Sequence, residues 1–472
     1  MGMKRGVTMK NLKLEEFNKS LRGKKVGILG LGVSNLPLID YLYEYGANIY
    51  LFDEKEYDKL DSNVKEKINK YNLKYNLGNN CMEDLKNFDI IFRSPSILPT
   101  RKELVDEASR GCLITTEIEM LMKLIPSKII GITGSDGKTT TTTLISECLK
   151  ANGYNVYVGG NIGTPLFTKA KEMTEEDIVV LELSSFQLMG MTVSPNISVI
   201  TNITPNHLNI HKDMEEYILS KRRIIDNQNK DDVCVLNYND EIVKDFSNYA
   251  KGEVRYFSKF DNISNGFCIK NNAIYRVIDN NYSKIIDTKD ILLRGNHNYE
   301  NICTCLSAII DLIDINKAIE VFKTFKGVEH RLEFIREING VKWYNDSVSS
   351  SPTRTIAGLN SYDENIVLIA GGYDKHIDYD VIGEPIVNKV STLILMGDTK
   401  EKIYNATVKA EEKLNEKVDK YMVSSLEEAV DLALDKAKIG EVVLFSPASA
   451  SFDMFKNFAD RGENFKTLVN QK

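Results

Sequence analysis

Apolar residues in this chain come in short runs, each closed by small or polar residues and followed by a stretch in which apolar positions return every three or four residues. Val26–Gly32 leads into Leu36–Tyr45, and Lys128–Thr133 leads into Thr140–Lys150. A short unbroken apolar run suits a strand buried on both faces, and the helical period after it supplies the crossover that parallel strands require. The same signature recurs at Ile178–Leu183, Ile197–Thr201, Val233–Asn237, Ile366–Ala370, Leu393–Met396 and Val442–Phe445. The pattern predicts an α/β protein built on several open sheets. Residues 251–290 break it: Asn, Asp and Lys with short Ile and Tyr alternations predict an antiparallel insertion.

At 472 residues, 42% of them hydrophobic, the chain has enough core for about three domains of ~150 residues each. One boundary is expected near Thr116 and another near Gly327, where a helical segment gives way to a new strand. The predicted domains are therefore 1–116, 117–327 and 328–472.

No apolar run approaches the ~18 residues that a membrane span needs. The polar, basic start Met1–Leu21 lacks the apolar core and cleavage site of a secretory signal, so the expected address is the cytoplasm. A net charge of −7 argues against general nucleic-acid binding and makes any phosphate site a local feature. Seven cysteines without a C-x-x-C pair read as buried, reduced thiols and not as a zinc or redox centre.

The most specific local signal is Thr133-Gly134-Ser135-Asp136-Gly137-Lys138-Thr139-Thr140, set between a predicted strand and a predicted helix. Glycines let the backbone wrap closely round a phosphate, and successive N–H groups and the helix N-terminus face its oxygens. Lys138 neutralises charge, and the Thr139 hydroxyl suits Mg²⁺. Ile132 stands where the general P-loop pattern has a glycine, so the match is to a shorter variant. ATP binding by Gly134, Ser135, Asp136, Gly137, Lys138, Thr139 and Thr140 follows.

Glu182 ends an apolar strand, where a carboxylate is costly unless it meets a cation, so it is a candidate Mg²⁺ ligand or base. Thr201-Asn202-Ile203-Thr204-Pro205-Asn206-His207 delivers His207 to the same carboxyl-end face. Gly159-Gly160-Asn161-Ile162-Gly163 is a loop able to close that crevice. Lys221, on helical periodicity alone, reads as solvent-facing. In the first domain, Gly27-x-x-Gly30-x-Gly32 follows a strand and Asp53 ends the next. The last glycine of a dinucleotide fingerprint is replaced by Asn35, which favours a Rossmann-like domain gripping some other diphosphate.

Taken in order, T-G-S-x-G-K-T-T, G-G-N-I-G, E-L-S-S-F-Q-L, T-N-I-T-x-x-H, Y-x-x-x-K-x-x-I, G-x-H-N-x-x-N, H-R and N-D-S resemble the Mur ligase family over most of the chain from Gly131 onward. The N-terminal G-L-G-x-S segment and the final S-P-A-x-A-S-F-D-x-F-K-N-F stretch resemble its D-glutamate-adding branch. The resemblance implies a Rossmann-like N-terminal domain, a central P-loop ATPase-like domain with a parallel or mixed sheet, and a Rossmann-like C-terminal ligase domain. It implies a reaction of peptidoglycan precursor synthesis. ATP phosphorylates the terminal carboxylate of UDP-N-acetylmuramoyl-L-alanine, and the amine of D-glutamate attacks the acyl phosphate. The implied partners are these small molecules, with no nucleic acid and no membrane, and the chain is expected to act as a monomer.

For the site, the resemblance implies catalytic roles for Lys138, Glu182, His207 and Lys221, with two Mg²⁺ sites held by Thr139, Glu182, His207 and a carbamylated Lys221. Asn298, Asn301, Arg331 and Asp346 would complete the ATP site. Val33, Ser34, Asp53, Ser94, Asn161 and His207 would hold the UDP substrate, and Ser350, Lys375, Ser451 and Phe458 the D-glutamate. Ser451 also suits the N-cap of a helix starting at Phe452. Two positions depart from the usual pattern: Val348 stands where many D-glutamate-adding ligases carry a lysine, and Ser96 turns S-P-G into S-P-S.

Overall fold

The computed structural model describes residues 11–205, 211–375 and 377–472. Among these, the strands form sheets of five, nine and six members. By its contacts the chain divides into two compact units, one running to Asp287 and adding Glu300–Val321, the other made of Thr288–Tyr299 and Phe322–Lys472.

In the first unit, the strands Lys74–Leu77, Asn48–Asp53, Lys25–Leu29, Ile90–Arg93 and Leu113–Thr115 lie side by side in that order. All pair in parallel. The order reverses between Lys25–Leu29 and Ile90–Arg93, so the loops leaving those strands part and open a crevice at their carboxyl ends. The predicted run Val26–Gly32 stops as a strand at Leu29 because Gly30 turns the backbone to φ 83°.

The same unit holds the nine-stranded sheet, in which Val233–Asn237, Ile197–Ile200, Lys128–Thr133, Ile178–Glu182 and the edge strand Val156–Gly160 lie side by side in that order, all parallel. Residues 251–290 extend this sheet. Their first strand, Glu253–Ser258, pairs in parallel on both sides. The antiparallel character predicted for the whole segment is confined to Gly266–Lys270, Ala273–Ile278 and Asn281–Asp287.

In the second unit, Val341–Asn345, Val442–Phe445, Ile366–Gly371, Val390–Met396 and Asp419–Met422 form a parallel sheet edged by the antiparallel strand Glu333–Ile338. Because the first three of these strands are neighbours, the loops after Asn345, Phe445 and Gly371 gather at one end. All seven cysteines are buried and free. Among the described residues, no helix is long and apolar enough to cross a membrane.

Candidate active site

The strand Lys128–Thr133 is buried from Ile129 onward and feeds a tight loop into the helix Lys138–Ala151. Gly134 takes φ 144°, and a Cβ there would strike the Thr201 hydroxyl, so a side chain is excluded on two counts. Gly137, at φ 79°, sits before the helix and offers no side-chain cap, which leaves the first-turn N–H groups for a ligand. The neighbouring segment fixes the loop from outside: Ser135 N donates to Asn202 O at 2.9 Å and Asp136 N to Asn202 Oδ1 at 2.8 Å. The Thr201 hydroxyl donates to Asp136 O at 2.6 Å.

Lys138 folds back to donate to the carbonyls of Gly134 and Ser135, each at 2.8 Å. Thr139 Oγ1 donates to Glu182 Oε2 at 2.8 Å, and Asn161 Nδ2 donates to Glu182 Oε1 at 2.8 Å. Glu182 is 1% exposed, so a buried carboxylate lies against the residue that opens the first turn after Lys138. Thr140 is buried in that turn. Asn301 presents Oδ1 to the Thr141 hydroxyl at 3.3 Å.

Lys221 overturns its periodicity reading. It is 2% exposed and donates to Gly134 O at 2.7 Å, with Tyr217 one turn earlier beneath its ammonium. Burial, then the nearby Lys138 charge, pulls its pKa well below the ordinary lysine value. Tyr217 was visible in the sequence only as the first letter of Y-x-x-x-K, yet its hydroxyl lies 2.9 Å from Ser135 Oγ. A second arrangement was missed altogether: Ser185 Oγ lies 2.9 Å from His211 Nε2, whose Nδ1 lies 3.2 Å from Glu216 Oε2. His207 lies outside the described residues.

Thr139 and Glu182 supply the hard oxygen donors that Mg²⁺ prefers, and an unmodified lysine does not; a carbamate on Lys221 would. The other acidic and histidine cluster among the described residues, Glu329, His330 and Glu463, is bound up with Lys466. That ammonium lies 2.7 Å from Glu329 and 2.9 Å from Glu463, which accounts for the cluster as an ion-pair network.

In the five-stranded region, Asp53 Oδ2 accepts from Leu31 N at 2.7 Å and Oδ1 from Lys55 N at 2.9 Å, so its carboxylate shapes the first loop. Asn35, in place of a glycine, donates to Leu29 O at 3.2 Å and to Gly30 O at 2.9 Å and closes the strand end. Val33 is exposed and Ser34 half-buried beside it. Across the crevice, Ser94 N donates to Leu29 O at 2.7 Å, and Ser94 Oγ lies 3.0 Å from Ser96 Oγ. The structure therefore brings Val33, Ser34, Asp53 and Ser94 to one rim.

In the second unit, Asp346 is 3% exposed. It accepts from Ser446 Oγ at 2.7 Å and Leu332 N at 3.3 Å. Burial lifts its pKa to about 6, against the pull of Ser349, Ser446 and Arg331. Asn298 is buried and donates to Arg294 O at 2.6 Å.

The D-glutamate candidates sit on the three gathered loops. Ser350 is half-buried and Lys375 exposed. Tyr373 pairs with Ala450, bringing the Lys375 loop beside Ser451. Phe458 opens the helix Phe458–Asn470, capped by Asn457 Oδ1. The predicted helix start at Phe452 is corrected by this: Ser451 begins a run of turns and caps no helix. Arg461, which the sequence did not mark, is 1% exposed and ties the loops together. It donates to Ser347 O and Ala450 O at 2.8 Å and to Ser449 O at 3.0 Å.

Three family models match: "Mur ligase MurD-like, N-terminal domain" over residues 24–116, "Mur ligase middle domain" over 132–309 and "Mur ligase, glutamate ligase domain" over 330–449. A UDP-N-acetylmuramoylalanine–D-glutamate ligase of Acetivibrio thermocellus is 47% identical, covering 98% of this chain and 99% of its own. One of Clostridium botulinum is 46% identical, covering 96% and 98%. Among solved structures, a UDP-N-acetylmuramate–alanine ligase of Thermotoga maritima aligns with a TM-score of 0.57 at 16% identity, covering 95% of this chain and 99% of its own. A MurF ligase of the same organism, in complex with ADP, aligns at 0.54 and 19%, covering 96% and 97%. With a phosphate loop, a buried carboxylate beside it and relatives 46–47% identical over nearly its whole length, the chain belongs to the Mur ligase family.

Proposed function

We propose that this chain joins D-glutamate to UDP-N-acetylmuramoyl-L-alanine at the expense of ATP, in peptidoglycan precursor synthesis. The observation that carries the reading is the phosphate loop itself: Lys138 at a helix start, with Thr139 hydrogen-bonded to the buried Glu182. The near-full-length relatives named for this reaction supply the substrates.

In this reading Lys138 swings from the Gly134 and Ser135 carbonyls to the phosphates, and the open helix N-terminus stabilises the negative charge that develops. The γ-phosphoryl group passes to the alanine carboxylate, giving an acyl phosphate and ADP. The D-glutamate amine then forms the C–N bond, and phosphate leaves with the electrons of the C–O bond as the nitrogen sheds its proton. Thr139, Glu182, His207 and a carbamate on Lys221 are the residues for two Mg²⁺ ions. Bound there, Mg²⁺ would neutralise phosphate charge and polarise the oxygens. Lys221 is suited to carbamylation because its depressed pKa favours the neutral amine, the form that attacks CO₂ and releases one proton.

Asn298, Asn301, Arg331 and Asp346 serve the nucleotide. Val33, Ser34, Asp53, Ser94, Asn161 and His207 serve the UDP substrate. Ser350, Lys375, Ser451 and Phe458 hold D-glutamate, the lysine and hydroxyls pairing with its carboxylates. Domain boundaries near 116 and 327, a monomer and a cytoplasmic address complete the reading. The test is phosphate release with UDP-N-acetylmuramoyl-L-alanine and each amino acid in turn. Release that requires D-glutamate is expected; hydrolysis indifferent to it, or preference for another amine, overturns the proposal.

A further inference from the structure

Arg93 ends the strand Ile90–Arg93, immediately before Ser94, and is 3% exposed. A buried guanidinium is expensive; Glu119 lies near enough for its charge to favour the charged form, but no ion pair among the described residues closes on Arg93. Its bonds go instead to two backbone carbonyls: Ile97 O at 3.0 Å, in the loop that carries Ser94 and Ser96, and Met189 O. Met189 is the C-cap of the short helix Ser185–Leu188, a few residues beyond Glu182. One side chain thus bolts the rim of the UDP crevice to the segment that continues from the phosphate-site carboxylate.

On one side this bolt borders a cavity of about 450 Å³ lined in part by Arg93, Pro99, Gly190 and Glu119; on the other the packing is close. Gly190 takes φ 82°, and a Cβ there would come within 3.2 Å of Pro99 and 3.7 Å of the Arg93 guanidinium. Two residues on, Thr192 is pinned by Glu119, whose Oε1 accepts from Thr192 N at 3.1 Å and from its hydroxyl at 2.6 Å. Residues 189–192 are therefore held from the 93–99 loop on one side and from Glu119 on the other. A shift of the Ser94–Pro99 loop has a direct route to the segment after Glu182. Burial lowers the pKa of Arg93 to about 10, still far above neutrality, so the bolt keeps its charge under working conditions.

We propose that Arg93 is a positioning residue that couples occupancy of the UDP crevice to the geometry of the phosphate site, so that each ligand tightens the other. The inference rests on the substrate reading above. Coupling of this kind is reciprocal and has a measurable factor. Titration calorimetry would give the affinity for Mg-ADP with and without saturating UDP-N-acetylmuramoyl-L-alanine, in wild type, Arg93→Met and Arg93→Lys.

In wild type the UDP substrate should tighten Mg-ADP at least about fivefold. In Arg93→Met each ligand alone should bind within about threefold of wild type while the coupling factor falls below about two. Arg93→Lys, whose ammonium reaches a carbonyl, should lie between. Gly190→Ala, strained at φ 82° and tight against Pro99 so that the backbone beside Met189 must shift, should match Arg93→Met and serves if that variant does not fold. Coupling that persists in both variants, or is absent from wild type although both ligands bind, overturns the inference alone. Failure of wild type to bind the UDP substrate overturns the substrate reading along with it.

Discussion

Lys221 Nζ donates to the carbonyl oxygen of Gly134 at 2.7 Å from a buried position. The contact places an amine of depressed pKa against the phosphate loop. The shift favours the neutral amine, the form open to carbamylation, so wild-type activity should fall in CO₂-depleted buffer and return with bicarbonate. Lys221→Ala should lose about two to three orders of magnitude in kcat and regain part of it with added short carboxylates. Normal activity in the unrescued variant would eliminate the carbamate. The sign for stability is fixed as well. The folded chain binds a proton at Lys221 less tightly than the unfolded chain does, so this residue makes the protein less stable as pH falls through the window between its depressed and ordinary pKa values.

Asp346 titrates in the opposite sense. Burial holds its folded pKa at about 6, above the ordinary aspartate value, so the folded state holds the proton more tightly. The associated stability is present below about pH 4 and is lost as pH rises to about 6. Two pKa units amount to roughly 3 kcal/mol. Asp346→Asn should therefore unfold at higher denaturant than wild type at pH 7.5 and nearly match it at about pH 3.5. On the nucleotide role proposed for Asp346, turnover should fall about 10- to 100-fold. Equal denaturation midpoints at pH 7.5 would show that the carboxylate is not held as the structure implies.

What could be read from the chain beforehand was local chemistry. The phosphate loop announces itself because glycine, lysine and threonine do their work within eight consecutive positions, and Glu182 because a charge at the end of an apolar strand is anomalous. Lys221 could not be read that way. Its burial depends on the Tyr217 face of its helix meeting the phosphate loop, eighty-odd residues earlier in the chain, and its neighbours Arg222 and Arg223 blur the helical period. Arg93 and Arg461 are invisible for the same reason: each satisfies itself on backbone carbonyls, which carry no sequence signature. The helix start at Phe458 was misplaced because Ser451 and Asn457 are both good N-caps, and the intervening turns decide between them.

Arg461 offers a test of loop assembly in the second unit. Its guanidinium spans Ser347, Ser449 and Ala450, and lysine cannot reproduce a planar fork. Arg461→Lys should cost on the order of 3 kcal/mol in chemical denaturation, through buried carbonyls left without donors. In the part that remains folded, the KM for D-glutamate should rise more than the KM for ATP, because the guanidinium holds the loop that bears Ser451. A uniform loss in both would mean that the residue serves only the fold.

Val348 occupies the position where the family often has a lysine, and Arg354 is the only cation between Asn345 and Arg354 itself. It reaches back to donate to Val348 O at 3.4 Å, returning a positive charge to the loop from which the side-chain lysine is missing. Ser350 lies between the two in sequence, so the charge stands on the loop expected to receive a carboxylate of D-glutamate. A hydrogen bond to a charged group contributes about 1.5–3 kcal/mol. Arg354→Ala should accordingly raise the KM for D-glutamate about 10- to 100-fold and leave the KM for ATP near its wild-type value. Adding Val348→Lys to that variant should restore the lost affinity to within about threefold, since a lysine at 348 would supply the same charge from the opposite end of the loop. If the double variant is no better than Arg354→Ala alone, the two positions do not exchange this role.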